Sequence, residues 1–132
     1  MQKVVVDTNV LVSALWSKQG NPNRILEMIF LKEIVLYYCP EIMEEYKNVL
    51  SREKLNFAEE KTLPLLQEIT KNAVLTEPAT STVFFSDESD RKFYDTAKEN
   101  DAILITGNSK HYPDEPQILT PFKFLQYINY RP

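Results

Sequence analysis

Cysteine and glycine are scarce in this chain of 132 residues, which has one cysteine and two glycines. The single cysteine, Cys39, excludes an internal disulfide and fits a reducing cytoplasm, which is the compartment that we expect. Because only one histidine is present as well, a zinc site of the usual kind is not indicated. Few glycines and short apolar runs argue against a repeat array and a membrane span. We expect one domain, residues 1–132, with its own hydrophobic core.

Basic side chains do not outnumber acidic ones. The chain has 15 lysines and arginines against 19 aspartates and glutamates, a formal net charge of −4 at pH 7. A protein that binds nucleic acid by phosphate neutralisation alone is normally basic, so this balance argues against a plain nucleic-acid-binding module. The balance is compatible with an enzyme that gathers carboxylates in one pocket and fills the pocket with divalent cations.

What the sequence does contain is an alternation of strand-like and helix-like segments. Short runs rich in branched apolar residues predict β-strands at 4–6, 34–38, 73–75, 102–106 and 118–119. Apolar residues at helical spacing predict helices at 10–16, 22–30, 40–50, 57–71, 88–99 and 121–128. Pro64 is expected to kink the 57–71 helix or to divide it in two. The alternation predicts an α/β fold with a parallel sheet and helices on both of its faces.

The first predicted strand, residues 4–6, ends at a carboxylate, Asp7. Ligands of open α/β sheets bind in the crevice beyond the carboxyl ends of the strands, so this position favours a functional role for Asp7. The alternative is that Asp7 or Thr8 only caps the helix that follows. Position alone does not choose between the two interpretations.

Two further acidic side chains lie on or near the apolar faces of predicted helices. Glu45 borders the apolar face of the 40–50 helix, where it either turns into a crevice or makes an ordinary surface contact. Asp90 falls on the same side of the 88–99 helix as Phe93, and a charge on that face needs a partner or a metal ion. The alternative is an electrostatic role in the first helical turn, with Asp87 as the N-cap.

The strand 102–106 has a polar residue at each end. If it runs parallel to the first strand, Asn108 lies at the same edge as Asp7, whereas Asp101 lies about 16 Å away at the opposite edge. Asp7, Glu45, Asp90 and Asn108 are thus expected around one crevice, with no basic side chain among them. Crowded oxygen ligands favour Mg²⁺ or Mn²⁺, and such ions suit phosphodiester hydrolysis.

The chain resembles the PIN-domain family of metal-dependent ribonucleases, which includes toxins of bacterial toxin–antitoxin pairs. The matching stretches are 4–10, 40–50, 90–93 with Ala97, and 102–108. The resemblance implies a three-layer α/β/α fold around a mostly parallel sheet of four to five strands. It also implies a hydrolase that binds Mg²⁺ or Mn²⁺ and cuts single-stranded RNA.

The resemblance also implies roles for individual residues. Asp7 would anchor the metal ion, Glu45 and Asp90 would complete its shell, and the loop after Thr106 would supply a fourth group. Many relatives have aspartate in that loop where this chain has Asn108, which bears on a second metal position. A small antitoxin protein would be the partner of a toxin, and an exposed apolar helix face would suit a homodimer.

Other interpretations stay open. One is a PIN-like module without catalytic activity that binds RNA or a protein. Another is a phosphatase or phosphoacceptor domain with Asp7 as nucleophile, although the haloacid-dehalogenase type expects a second aspartate where Asn9 stands. His111 either contacts the substrate or is an ordinary loop residue. Several cations are candidates for phosphate contacts, although solvated surface is the default for each, and no aromatic side chain is assigned to base stacking. These cations are Lys18, Arg24, Arg91, Lys92 and Lys110.

Overall fold

The computed structural model describes residues 1–129, in which five strands form one sheet. The strands are β1 (Lys3–Val6), β2 (Val35–Tyr38), β3 (Val74–Leu75), β4 (Ile103–Ile105) and β5 (Ile118–Leu119). Their order is β3-β2-β1-β4-β5, and all neighbouring pairs are parallel. The predicted domain extends to residue 132, and residues 130–132 lie outside the described part of the chain.

The described residues contain six α-helices around this sheet. They are α1 (Thr8–Trp16), α2 (Asn21–Phe30), α3 (Pro40–Leu50), α4 (Glu59–Asn72), α5 (Arg91–Glu99) and α6 (Pro121–Asn129). The predicted three-layer α/β/α architecture and the five-stranded sheet are confirmed. Between residues 1 and 129, no helix is long and apolar enough to cross a membrane.

The central strands are covered on both faces, as their composition predicts. Val4, Val5 and Val6 of β1 are each 0% exposed, and Leu104 and Ile105 of β4 are equally buried. Branched apolar residues without alternation are typical of a parallel strand with helices on both sides. The strand at the middle of the sheet therefore carries the centre of the hydrophobic core.

Two predicted helices differ from the structure. The helix predicted at 57–71 begins at Glu59, and Pro64 lies inside α4 without dividing it, because buried Leu65 and Ile69 hold the following turns against the core. The helix predicted at 88–99 is shorter. Its first turn is a separate 3₁₀ turn, Glu88–Asp90, and α5 begins at Arg91.

The order of the strands creates a crevice next to β1. The chain runs from β1 outward to β2 and β3, and then returns to place β4 on the other side of β1. Connections leave the sheet in opposite directions at such a point, so the carboxyl ends of the two strands stay open to a ligand. Asp7 follows β1 at this position, and Thr106 follows β4.

A buried hydrogen bond ties α3 to the end of β1. The hydroxyl of Tyr46, which is fully buried, donates to the backbone carbonyl of Val6. Glu45 precedes Tyr46 in the same helical turn, so this bond holds the middle of α3 beside the carboxyl end of β1. The helix is thereby placed with Glu45 facing the crevice edge.

We expect Tyr46→Phe to lower the free energy of unfolding by about 1–3 kcal/mol, because the buried Val6 carbonyl loses its hydroxyl donor. Urea unfolding followed by circular dichroism measures the change. Tyr37→Phe, on a half-buried ring of β2, is the matched control and should change stability by less than about 0.5 kcal/mol. Equal effects of the two substitutions would contradict the role given to the Tyr46 hydroxyl.

Candidate active site

Asp7 lies at the N-cap position of α1, but its carboxylate does not cap the helix. The side chain is directed to the neighbouring strand, where Oδ2 accepts the Thr106 hydroxyl at 2.9 Å and the Tyr112 hydroxyl at 2.9 Å. Both donors bind the same oxygen, so neither of them covers Oδ1. Asp7 is only 7% exposed. The capping alternative for the Asp7 side chain is therefore wrong.

The environment of Asp7 disfavours its ionised form. Burial raises the pKa of the Asp7 carboxyl, the hydroxyls of Thr106 and Tyr112 act in the opposite direction, and the nearby charge of Glu45 raises the pKa further. Desolvation penalises a carboxylate that water no longer reaches, and a like charge adds to that penalty. The pKa of the Tyr112 phenol is also raised, because the side chain is buried and lies beside the charge of Asp7.

Glu45 holds its position through two side chains from different elements. The Thr8 hydroxyl donates to Oε2 of Glu45, and the ammonium of Lys92 lies 2.7 Å from Oε1. The Glu45 side chain is 25% exposed and that of Lys92 is 17% exposed, so the ion pair is partly buried. The Thr8 side chain thus supports Glu45 and connects α1 to α3.

Asp90 lies at the junction of the 3₁₀ turn and α5, not within the helix as predicted. Its side chain is 14% exposed, and Oδ2 is 3.8 Å from Nδ1 of His111. Burial raises the pKa of the Asp90 carboxyl, and so do the charges of Asp7 and Asp87. Asp87 caps the turn as predicted, because its carboxylate accepts the backbone N–H of Ser89.

The loop after β4 is held close to the start of α1. The backbone N–H of Gly107 donates to Oδ1 of Asn9 at 3.0 Å, and a Cβ on Gly107 would lie only 3.3 Å from that oxygen. Asn108 follows at the same edge as Asp7, as predicted. It is exposed, and its backbone N–H donates to the Thr106 hydroxyl. The Asn9 side chain thus connects α1 to the loop that follows β4.

Three carboxylates share this edge of the sheet, but they do not converge on one point. Asp7 interacts electrostatically with both Glu45 and Asp90. Within residues 1–129, however, no group of three or more His, Cys, Asp or Glu side chains has metal-binding geometry. Mutual repulsion and separate partners account for the spread, since Glu45 turns to Lys92 and Asp7 turns to Tyr112.

The expectation of a crevice without basic side chains is wrong. Lys92 reaches Glu45, and His111 lies beside Asp90. The donor set nevertheless fits a hard divalent cation, because the carboxylates of Asp7, Glu45 and Asp90 offer oxygen ligands, and their negative charge is what such an ion would balance.

Comparison with known proteins identifies the family. The sequence model of the PIN domain matches residues 3–110. The chain belongs to the PIN-domain family. PIN domains are generally nucleases, which are hydrolases, and they typically use divalent metal ions. The chain is also similar to the uncharacterized protein MJ1680 of Methanocaldococcus jannaschii, with 38% identity over 109 residues, 80% of this chain and 70% of the relative.

The sequence of this PIN domain did not reveal the donors that hold its carboxylates. Tyr112 lies beyond the matched stretch, in a loop where Lys110 and His111 were the candidates for a substrate contact. Lys92 was a candidate for phosphate binding, and its pairing with Glu45 depends on the packing of α5 against α3. Asp101, in contrast, lies at the opposite edge as predicted, in a cavity that Lys3 also lines.

Stability of this PIN domain should depend on the charge of Asp7. Because burial raises the pKa of Asp7 in the folded state, the folded chain binds this proton more tightly than the unfolded chain does. The contribution of this group to stability is greatest at acid pH, and it falls as the pH rises above the unfolded pKa of about 3.9. We expect Asp7→Asn, whose amide oxygen can still accept both hydroxyls, to raise the melting temperature by a few degrees at pH 7.

Thermal unfolding without divalent cations, followed by circular dichroism across a pH series, measures this effect. The gain from Asp7→Asn should shrink as the pH falls toward about 4. Asp101→Asn, on an exposed residue at the opposite edge, is the matched control. A gain from Asp7→Asn that stays constant with pH would contradict the cost assigned to the buried charge.

Proposed function

We propose that this PIN domain is a divalent-cation-dependent ribonuclease that hydrolyses phosphodiester bonds of single-stranded RNA. The observation that supports the proposal is the position of Asp7, Glu45 and Asp90 at the open edge beside β1. Their charges interact across elements that are distant in the chain. A bound cation would reduce the repulsion between these carboxylates. Divalent cations are also suited to hydrolysis of the phosphodiester bonds of RNA.

The ion that we propose is Mg²⁺ or Mn²⁺, held by Asp7, Glu45 and Asp90, with the neutral oxygen of Asn108 as a further ligand. When bound, the ion supplies an activated water and stabilises the charge on the reacting oxygens. The residues of the chain orient the carboxylate of Asp7. Tyr112 and Thr106 donate hydrogen bonds to Oδ2 of Asp7 and leave Oδ1 without a hydroxyl donor.

Lys92 balances part of the negative charge before any cation arrives. Its ammonium contacts Oε1 of Glu45, while Thr8 holds Oε2, so both oxygens of Glu45 have partners within the chain. For Glu45 to bind an ion, Lys92 has to release Oε1. Binding of the cation and retention of this ion pair are therefore competing states of the same carboxylate.

Removal of the Asp7 charge tests the nuclease proposal. We expect Asp7→Asn to lower Mn²⁺-dependent cleavage of a labelled single-stranded RNA by at least about 100-fold, because even residues that only orient metal ligands contribute about 10–100-fold. Asp101→Asn makes the same chemical change at the opposite edge and should keep full activity.

The comparison of variants also controls for a contaminating nuclease, which would be equally active in all preparations. Equal cleavage by the unmodified chain and by Asp7→Asn would show that the assigned site is not responsible. Absence of cleavage from the unmodified protein with either ion, over a range of RNA sequences, would contradict the activity itself.

A second candidate function is a PIN-like module without catalytic activity that binds RNA or a protein. The observation that favours it is the ion pair of Lys92 with Glu45, which occupies a carboxylate that a nuclease would use. Calorimetry separates the two functions. Saturable heat of Mn²⁺ binding supports the nuclease, and absence of such heat supports the module.

Lys92→Met should strengthen Mn²⁺ binding by up to about fivefold, because it frees Glu45 and removes a competing positive charge. Isothermal titration calorimetry measures the affinity. Lys98→Met is the matched control on the same helix, since Lys98 pairs with Glu115 instead. If Lys92→Met weakens Mn²⁺ binding, the lysine supports the site and does not compete with the ion.

The proposal includes the biological role that the family resemblance implies, a toxin with a small antitoxin partner. A neighbouring gene for a small DNA-binding protein that relieves growth arrest would support this role.

A homodimer is the proposed assembly, for which the exposed Phe30 and Phe122 on the contacting helices α2 and α6 would provide apolar surface. Sedimentation of the purified protein tests it.

A further inference from the structure

Asp7 and Glu45 line a cleft that also contains residues without a role in the proposed chemistry. The cleft has a volume of about 420 Å³, and its lining includes Asp7, Glu45, Trp16, Arg52 and Lys54. Here it is called the Trp16 cleft. Acidic side chains lie at one part of its wall, and an indole and two cations lie at another. The lining also includes the apolar side chains of Val12, Val49 and Leu55, so apolar and charged groups border the same space.

Trp16 is unusually exposed for a side chain of its size. It is the last residue of α1, and 64% of its surface is accessible to solvent. The ring of Phe57 supports it, with ring centroids 5.9 Å apart and planes at 56°. An indole that is held by a neighbour and still open to solvent offers a flat surface for another ring.

Arg52 and Lys54 are the cations of this cleft that have no internal partner. Both are exposed, and neither forms an ion pair with another residue of the described part of the chain. Lys92 and Arg91, in contrast, are paired with Glu45 and Glu88. Arg52 and Lys54 therefore offer positive charge to an incoming anion in the same cleft as Trp16.

A second cleft, between α3 and α5, adjoins the Trp16 cleft. Glu45, Val49 and Arg52 line both clefts, and the second has a volume of about 580 Å³. An extended chain is the kind of ligand that contacts two adjoining clefts. A compact ligand would need only one of the two.

We propose that the Trp16 cleft binds single-stranded RNA, with a nucleobase stacked on Trp16 and the adjoining phosphates on Arg52 and Lys54. The inference rests on the proposed nuclease function and adds the residues that present the substrate to it. Single-strand binding sites combine a cationic path for the backbone with aromatic side chains on which bases stack. In a duplex the bases are already stacked on one another, so this site selects the single strand.

Trp16 is the only tryptophan of the chain, so its fluorescence reports directly on this contact. We expect a short single-stranded RNA, added at low ionic strength in EDTA to prevent cleavage, to quench the emission of Trp16 saturably. Duplex RNA of the same sequence should quench far less. Fluorescence anisotropy of a labelled RNA gives the affinity independently and serves for variants without tryptophan.

Substitutions separate stacking from folding. Trp16→Ala should weaken binding of single-stranded RNA by about tenfold or more, since stacking of a base contributes roughly a factor of ten to a hundred. Trp16→Phe keeps a ring and should restore most of the affinity. Leu31→Ala is the matched control, because Leu31 is 65% exposed and lies just before β2, at the amino ends of the strands and away from the site.

The salt dependence tests the two cations. Arg52→Gln and Lys54→Gln should each reduce the slope of log affinity against log salt by about 0.7, the value for one phosphate contact with a single strand. Lys32→Gln, on an exposed lysine before β2, should leave the slope unchanged. With Mn²⁺, Trp16→Ala should raise KM for RNA cleavage and leave kcat nearly unchanged.

The outcomes distinguish this inference from the nuclease proposal. If the protein cleaves RNA but Trp16→Ala has the KM and affinity of the unmodified chain, the cleft is not the substrate path and the nuclease assignment remains. If duplex RNA quenches as well as single-stranded RNA, the selectivity is wrong. If the protein neither binds nor cleaves RNA, both proposals fail.

Discussion

The hydrogen bonds that hold the buried carboxylate of Asp7 are the constraint on which the rest of the site depends. The parallel register pairs Val6 with Ile105, so the residues that follow these strands meet at one edge. Thr106 and Tyr112 then donate to the same carboxylate oxygen. Without these donors, a carboxylate with so little access to water would be costly to keep ionised. Neither hydroxyl binds the second oxygen, Oδ1.

The charge balance around this carboxylate explains the form that the site takes. The charge of Asp7 raises the pKa of Asp90, and the charge of Glu45 raises the pKa of Asp7. Glu45 itself is paired with Lys92. Lys92 is thus an internal counter-ion of Glu45, and it is the contact that the proposed cation would replace.

Much of the fold was predictable, because periodicity depends on which residues are buried and not on their distant partners. The run of valines in β1 and the apolar spacing of α3 and α5 placed Asp7, Glu45 and Asp90 near one edge. The beginning of α5 was not predicted, since a 3₁₀ turn and an α-helical turn have similar patterns over three residues. Of the two predicted effects of Pro64, a kink or a division, the division is absent, because the packing of the buried face of α4 offsets the hydrogen bond that Pro64 cannot make.

The sequence by itself determined the alternation of strands and helices and the acidic residues that end or border them, because local propensity and burial act on neighbours in the chain. Only the tertiary structure decided which side chains satisfy those acids and what the crevice adjoins. The pairing of Lys92 with Glu45 and the place of Tyr112 and Trp16 beside the carboxylates join residues from separate elements. Such contacts arise from strand order and helix packing, which leave no periodic signal in the sequence.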